Sequence, residues 1–320
     1  MASNAQQAVR VLAWNIENLG GKKVNLGASQ LIDFLAGVLT HNTIDIAAFC
    51  EMRLFADRVG DDLTKKLPGW DYIATKAFVP GRWEEYLILW NRATVANVPL
   101  STDKYLSEFK DPGLNTKLGF PRQTKDRPPV VAEFRPLKGT SNLRIGMIHA
   151  PEPGYAPGPR EAAKNLAKVV ELREKKKAGL LMGDFNVKKF ASIKNKTSFG
   201  FAAFSDLGKV GLTQLLHDDK TSLGSRRKAI KISSDCTSSP YDQLFFWPGG
   251  AGTSAVATSA DAKVVDVVSD VLKSSTLKQL LVKLYKNKVS ITNISTAAEA
   301  FLAYRNMVSD HYPVSVTVNC

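Results

Sequence analysis

One pattern recurs along this chain and narrows its architecture more than any other. Short apolar runs, rich in β-branched residues, meet a carboxylate, an amide or an imidazole at one end. Val9 to Ile16 reads V-R-V-L-A-W-N-I, with Asn15 inside it and Glu17 and Asn18 just after, before Gly20-Gly21. Ile44 to Cys50 stops at Glu51, Tyr86 to Trp90 follows Glu84-Glu85, and Leu143 to Ile148 runs into His149. Gly179 to Met182 runs into Gly183-Asp184-Phe185-Asn186, Leu244 to Trp247 follows Tyr241-Asp242, and Ser309-Asp310-His311 precedes Tyr312 to Val318. Runs of this length and composition read as buried strands. Polar groups at strand ends let a sheet gather a site from residues far apart in sequence.

Helical spacing occupies the stretches between. Leu31, Ile32, Leu35, Val38 and Leu39 recur three and four apart, as do Ala163, Leu166, Val169, Val170 and Leu172 within Arg160 to Lys177. Further helices are expected over Asp270 to Tyr285 and Ser295 to Arg305. Lys175 to Lys177 suit a helix end, where cations complement the carbonyl dipole. Strands outnumber helices, their order is mixed, and no repeat or low-complexity linker divides the chain. The expectation is therefore an α+β sandwich: one domain over residues 1–320, with two packed mixed β-sheets flanked by helices. The Gly-, Ala-, Ser- and Thr-rich segment Gly249 to Thr258 reads as a loop opening an insertion around 249–305. That insertion would cover the site, bind a partner or enlarge the core.

Composition matters for partners. Lys and Arg outnumber Asp and Glu by 43 to 30, a formal charge of +13 that favours a phosphate-rich partner. Between Val187 and Ile232 ten basic residues face three acids, so a loop there would add salt-sensitive affinity for a nucleic-acid backbone or form a solvated basic surface. Three cysteines, Cys50, Cys236 and Cys320, have no paired spacing, which argues against a disulfide scaffold or a cysteine-ligated zinc site. No run reaches the length of a membrane span, and the amino-terminal M-A-S-N-A-Q-Q-A-V-R lacks a signal-like apolar core. A cytoplasmic, monomeric protein is the expectation.

Phosphoester chemistry needs hard cations or fixed donors on the phosphate, a group that activates water, and help for the leaving oxygen. Glu51, Asp184, Asp242 and Asp310 have the hard oxygen donors that suit Mg2+, with Mn2+ or Ca2+ as alternatives. In their order along the chain, eight motifs resemble the endonuclease/exonuclease/phosphatase superfamily and, within it, its deoxyribonuclease I-like branch. They are W-N-I-E-N (14–18), C-E-M-R (50–53), E-E-Y-L (84–87), R-P-P-V-V (127–131), I-H-A-P (148–151), M-G-D-F-N (182–186), Y-D (241–242) and S-D-H-Y-P-V (309–314).

The resemblance implies a deoxyribonuclease I-like fold and a divalent-metal-dependent endonuclease acting on DNA. It implies that Asn15, Glu51 and Asp310 surround one cation, while Asp184, Asn186 and Asp242 surround the scissile phosphate or a second cation. It pairs His311 with Asp242 and His149 with Glu84, on opposite sides of the phosphate; a neighbouring carboxylate fixes a histidine's tautomer and stabilises its charged form. By the same resemblance Arg127 contacts phosphate and Arg53 enters the minor groove, with Asn18, Arg82 and Tyr241 as further nucleic-acid contacts. Arg82 stands where the best-known members carry a tyrosine, and the branch's stabilising cysteine pairs are missing.

Blander readings compete at several positions. Asn15 could cap a turn, Glu84 competes with Glu85, and Trp14 and Phe185 read as core residues because each alternates with the polar residue beside it. The same superfamily acts on phosphoinositides and sphingomyelin, and fold alone does not choose among these activities. A nucleic-acid-binding protein that kept the fold and lost the chemistry is the alternative of a different class; no expected carboxylate or histidine is missing here.

Overall fold

Period-two alternation along the strands sets the architecture. The computed structural model describes residues 6–19, 28–53, 55–75, 84–99, 129–150, 163–164, 166–167, 173, 177–187, 204–217, 219–224, 237–250, 253–286 and 292–320. In β1 (Ala8–Leu19), Val9, Val11 and Ala13 point one way and Leu12, Trp14 and Ile16 the other, and both sets are buried. A strand buried on both faces must lie inside a layered structure, and β1 does. It pairs parallel with β2 (Ile46–Arg53), which pairs antiparallel with β4 (Glu84–Asn91), followed by β3 (Trp70–Ala74). On its other side β1 pairs antiparallel with β14 (Val314–Asn319), and β14 with β13 (Ala262–Val264).

A second six-stranded sheet has the order β5 (Val95–Val98), β6 (Val130–Pro136), β7 (Leu143–His149), β8 (Ala178–Asp184), β12 (Asp242–Trp247) and β9 (Thr213–Gln214). β7 and β8 run parallel, and the other neighbours antiparallel. The inward residues of both sheets, among them Val11, Ile46, Ile88, Phe134, Ile145, Leu180 and Phe246, form one core. Outside the first sheet lie α1 (Ala28–His41), α2 (Ala56–Lys66), α4 (Val267–Lys273), α5 (Ser275–Lys286) and α6 (Ala297–Met307). Outside the second lies α3 (Ser205–Lys209), where Leu207 and Phe204 pack on Phe185 and Phe245. The expected pair of packed mixed sheets with helices outside is what forms. A short ladder of β10 (Ser222–Leu223) and β11 (Thr237–Ser239) sits at one end.

Several boundaries differ from the expectation. The helix expected over Asp270 to Tyr285 is two, because Ser274 is extended (φ −105°, ψ 113°) and its hydroxyl accepts the Leu277 N–H at 3.3 Å, capping a new helix. α6 starts at Ala297, two residues past the expected Ser295, because Thr296 and Glu299 form a reciprocal capping box. The last strand starts at Val314, since Pro313 has no N–H for the ladder. Most of Arg160 to Lys177 lies outside the described residues, although 163, 164 and 166 are helical. Within 249–305, β13 joins the first sheet, and α4, α5 and α6 bury Val267, Val268, Val271, Leu277, Leu281 and Tyr304 against that sheet's outer face.

Candidate functional site

At one end of the sandwich the inward positions change character. β1 continues Val9, Val11, Ala13 with Asn15; β7 continues Leu143, Ile145, Met147 with His149; β8 continues Ala178, Leu180, Met182 with Asp184. The antiparallel partners reach the same end from their starts, so β4 presents Glu84 before Tyr86 and Ile88, and β12 presents Asp242 before Leu244 and Phe246. Register aligns them: His149 is opposite Asp184, and Asp184 opposite Asp242. Asn15 is opposite Cys50. The core thus ends in a polar floor.

Backbone strain aims two of these groups. Glu51 lies in β2, which runs on to Arg53 rather than stopping, and the ladder to β4 slips between Phe49 and Met52. Its φ of 60° marks a bulge in which the side chain leaves the alternation. Asn186 also has positive φ, 51°, and Glu17 has 40°, beside Asn15. Positive φ in non-glycine residues costs energy and collects where the surroundings demand a particular aim. Gly183 has φ 129°, and a Cβ there would overlap the Ile148 carbonyl oxygen, so close approach of β8 to β7 requires the glycine of M-G-D-F-N.

The polar groups converge on Asp184. Nε2 of His149 and Nε2 of His311 each lie 3.8 Å from Asp184 Oδ2. Behind each imidazole stands a carboxylate: Asp242 Oδ2 lies 2.7 Å from His311 Nδ1, and Glu84 Oε2 lies 3.1 Å from His149 Nδ1. Glu51 Oε1 is 3.3 Å from His149 Nε2, and Asp310 Oδ1 3.8 Å from His311 Nε2. Asn15 is fully buried and its Nδ2 donates to Glu51 at 2.9 Å and to Asp184 at 3.0 Å, while its Oδ1 accepts the Glu17 N–H. Asn186 donates its backbone N–H to Asp184 Oδ1 at 2.7 Å and its side-chain amide to the Ala150 carbonyl. Glu85, of opposite parity to Glu84, accepts the Ala56 N–H at the start of α2.

Electrostatics follow from this crowding. Burial alone would lower the His311 pKa, but Asp242, through its charge and hydrogen bond, and then Asp184 and Asp310 outweigh it and push the imidazole up from 6.5 to about 10. Burial raises the Asp184 carboxyl; both histidines and the Asn186 N–H pull against that rise, and Asp242 adds to it. Cys50, under the floor, is raised by burial and then by Asp184 and Glu51, so its thiol stays neutral. Among the described residues, five carboxylates, from Glu51, Glu84, Asp184, Asp242 and Asp310, face two imidazoles, leaving negative charge there even with both rings protonated. Ligand atoms of Glu51, His149 and Asp184 lie within 4.8 Å of one another. Hard oxygen donors with excess negative charge fit a divalent cation.

Sequence reasoning missed the residues that hold these groups. Ser309 donates its hydroxyl to the Asn15 carbonyl at 2.6 Å and accepts the His311 N–H at 3.0 Å, joining both halves of the site. Tyr304 on α6 accepts from the Trp14 indole N–H at 3.2 Å and donates to the His311 carbonyl. Tyr86 accepts the His149 N–H at 2.9 Å, and Thr221 Oγ1 accepts the Asp242 N–H at 3.0 Å. Ser309 and Tyr86 carried a signal, since each sits within a quoted motif; Thr221 carried none. Trp14 and Phe185 are fully buried core residues, as expected.

The expected nucleic-acid contacts are placed in part. The Tyr241 ring stacks on His311, centroids 6.1 Å apart at 27°, and Arg53 is exposed at the end of β2. Arg82, Arg127 and the Asn18 side chain lie outside the described residues, as does most of the basic stretch within 187–232.

No protein-family model and no curated protein matches the sequence. Solved structures do match over almost the whole chain. An endonuclease/exonuclease/phosphatase family protein from Bacteroides thetaiotaomicron is 18% identical with a TM-score of 0.59, covering 98% of this chain and 99% of its own. A mannosyl-6-phosphatase from Bacteroides thetaiotaomicron is 17% identical with a TM-score of 0.59, covering 98% and 100%. D. rerio TDP2, complexed with a single-strand DNA product, is 9% identical with a TM-score of 0.59, covering 98% and 100%. The chain has the deoxyribonuclease I-like fold of endonuclease/exonuclease/phosphatase proteins, as its motifs led one to expect.

Proposed function

We propose that this protein is a divalent-metal-dependent endonuclease that hydrolyses phosphodiester bonds in DNA. The observation that carries this reading is the pair of carboxylate-backed histidines, His311 with Asp242 and His149 with Glu84, both turned toward Asp184. Glu51, with Asp310 and Asp184 nearby, would hold Mg2+, with Mn2+ or Ca2+ as alternatives. The bound cation would neutralise phosphoryl oxygens and favour attack on phosphorus.

The chain's own groups then divide the proton work. One imidazole takes a proton from the attacking water through Nε2; the water oxygen bonds to phosphorus as the P–O bond to the leaving oxygen breaks; the other imidazole gives that oxygen a proton. Asp242 and Glu84, hydrogen-bonded at Nδ1, leave Nε2 of each ring as the working nitrogen. Asn15 through its side-chain amide and Asn186 through its backbone N–H orient Asp184. Arg53 and Tyr241 are assigned to the nucleic acid beside the scissile bond, joined by Asn18, Arg82 and Arg127 on the resemblance of their motifs. TDP2 in complex with a DNA product supports DNA, as does the +13 charge.

Purified protein incubated with supercoiled plasmid and Mg2+ tests the reading. Nicking that EDTA abolishes is expected. Intact plasmid together with phosphate released from mannose 6-phosphate or a soluble inositol phosphate would move the enzyme to phosphomonoesters, the substrate class named for the Bacteroides thetaiotaomicron phosphatase of the same fold.

A further inference from the structure

The opposite end of the first sheet carries a second polar cleft. β1, β14 and β13 lie side by side there, and register sets Arg10 opposite Thr317 and Lys263 opposite Ser315. All four share the sheet's outer face and line a cleft of about 400 Å³, with His41 and Asp261 on its walls. Strand rise puts Arg10 about 16 Å from Asn15 along β1, well away from the histidine pairs.

The lining sets two cations, Arg10 and Lys263, against one carboxylate, Asp261. Neither the Arg10 guanidinium nor the Lys263 ammonium has an ion pair among the described residues. Ser315 is only 6% exposed, yet its hydroxyl has no hydrogen-bond partner there. The hydroxyl is not among the buried polar atoms left without a partner, so it is open to solvent at the cleft, where it can donate to an acceptor held by the two cations. The acids nearby are engaged: Asp261 Oδ2 accepts the Thr258 N–H and hydroxyl, and Asp45 Oδ2 accepts the Arg10 N–H. His41 Nε2 lies 3.8 Å from Asp270 Oδ1. The carbonyls of Val38, Leu39 and Thr40 at the end of α1 accept from Asn42, Ile44 and Thr43, which blunts the negative pole facing the cleft.

We propose that this cleft binds a small phosphate-bearing anion, its oxygens gripped by Arg10 and Lys263 and hydrogen-bonded by Ser315 and Thr317. Planar guanidinium and point-charge ammonium together are a phosphate-binding set, and the volume falls in the range of small-molecule sites. Nothing in this assignment depends on the activity proposed above.

Calorimetric titration in EDTA, where the carboxylate-rich end repels anions, tests it with two probes: inorganic phosphate and a nucleoside 5′-monophosphate. Saturable binding of at least one, with Kd below about 1 mM, is expected. Binding of both would identify a simple oxyanion site; binding of the nucleotide alone would identify an organic phosphate. Arg10→Ala/Lys263→Ala, two exposed positions, should weaken binding at least ~10-fold at an unchanged Tm, and Ser315→Ala several-fold. Silence toward both probes at about 10 mM, or equal binding by the double variant, overturns the proposal.

Discussion

His311 concentrates the chemistry of the candidate site in one ring, and its environment gives it a measurable signature. With its pKa pushed to about 10, its proton is retained through neutral pH in the metal-free protein. A folded pKa above the ordinary 6.5 means that its contribution to stability is complete below about pH 6.5 and is lost as pH rises through about 10. We therefore expect the metal-free protein's thermal midpoint to fall between pH 7 and 10, with a shallower fall in His311→Asn; equal slopes would refute the assignment. His311→Ala should lower plasmid hydrolysis by about 10³-fold or more while leaving DNA binding nearly intact. Retained hydrolysis would remove His311 from the mechanism.

At the scale of elements, what the sequence revealed and what it hid have separate physical causes. Parity along a strand is a property of the residues themselves, so the change from Met147 to His149 and from Met182 to Asp184 is legible in the amino-acid order alone. The turn of the Glu51 backbone out of that parity depends on a bulge fixed by neighbouring strands, and no residue type announces it. Thr221 is equally silent, because its place is set by the neighbouring two-residue strand, whose Ser222 bridges to His311. The cap at Ser274 is masked for another reason, since it competes with an unbroken apolar helical pattern on either side. Element-level predictions follow. Gly183→Ala should destabilise the fold by about 3 kcal/mol through strain and overlap with the Ile148 carbonyl, measured by denaturant unfolding. Thr296→Ala should cost about 1 kcal/mol by removing the α6 cap, and a change below ~0.3 kcal/mol would show that packing alone sets that helix end.

For the whole molecule, charge links stability to cation and salt. Excess carboxylate at one end of the sandwich means that a divalent cation should raise the Tm; saturation at about 100 times Kd adds about 2.7 kcal/mol. Glu51→Gln should abolish most of that rise, and an undiminished rise would place the cation elsewhere. Connectivity has a different consequence. β14 joins β1 across nearly the full length of the chain, with Val9 opposite Val318, and it lies between β1 and β13 inside the sheet. Such a pairing is of the long-range kind, whose loop closure must precede its contacts, and it forms slowly. Asp310 and His311 stand just before β14 in the chain, and Ser309 ties them to Asn15. Docking of β14 on β1 therefore closes the sheet and brings His311 to Asp184 in one step, so that the fold and the candidate site are finished together.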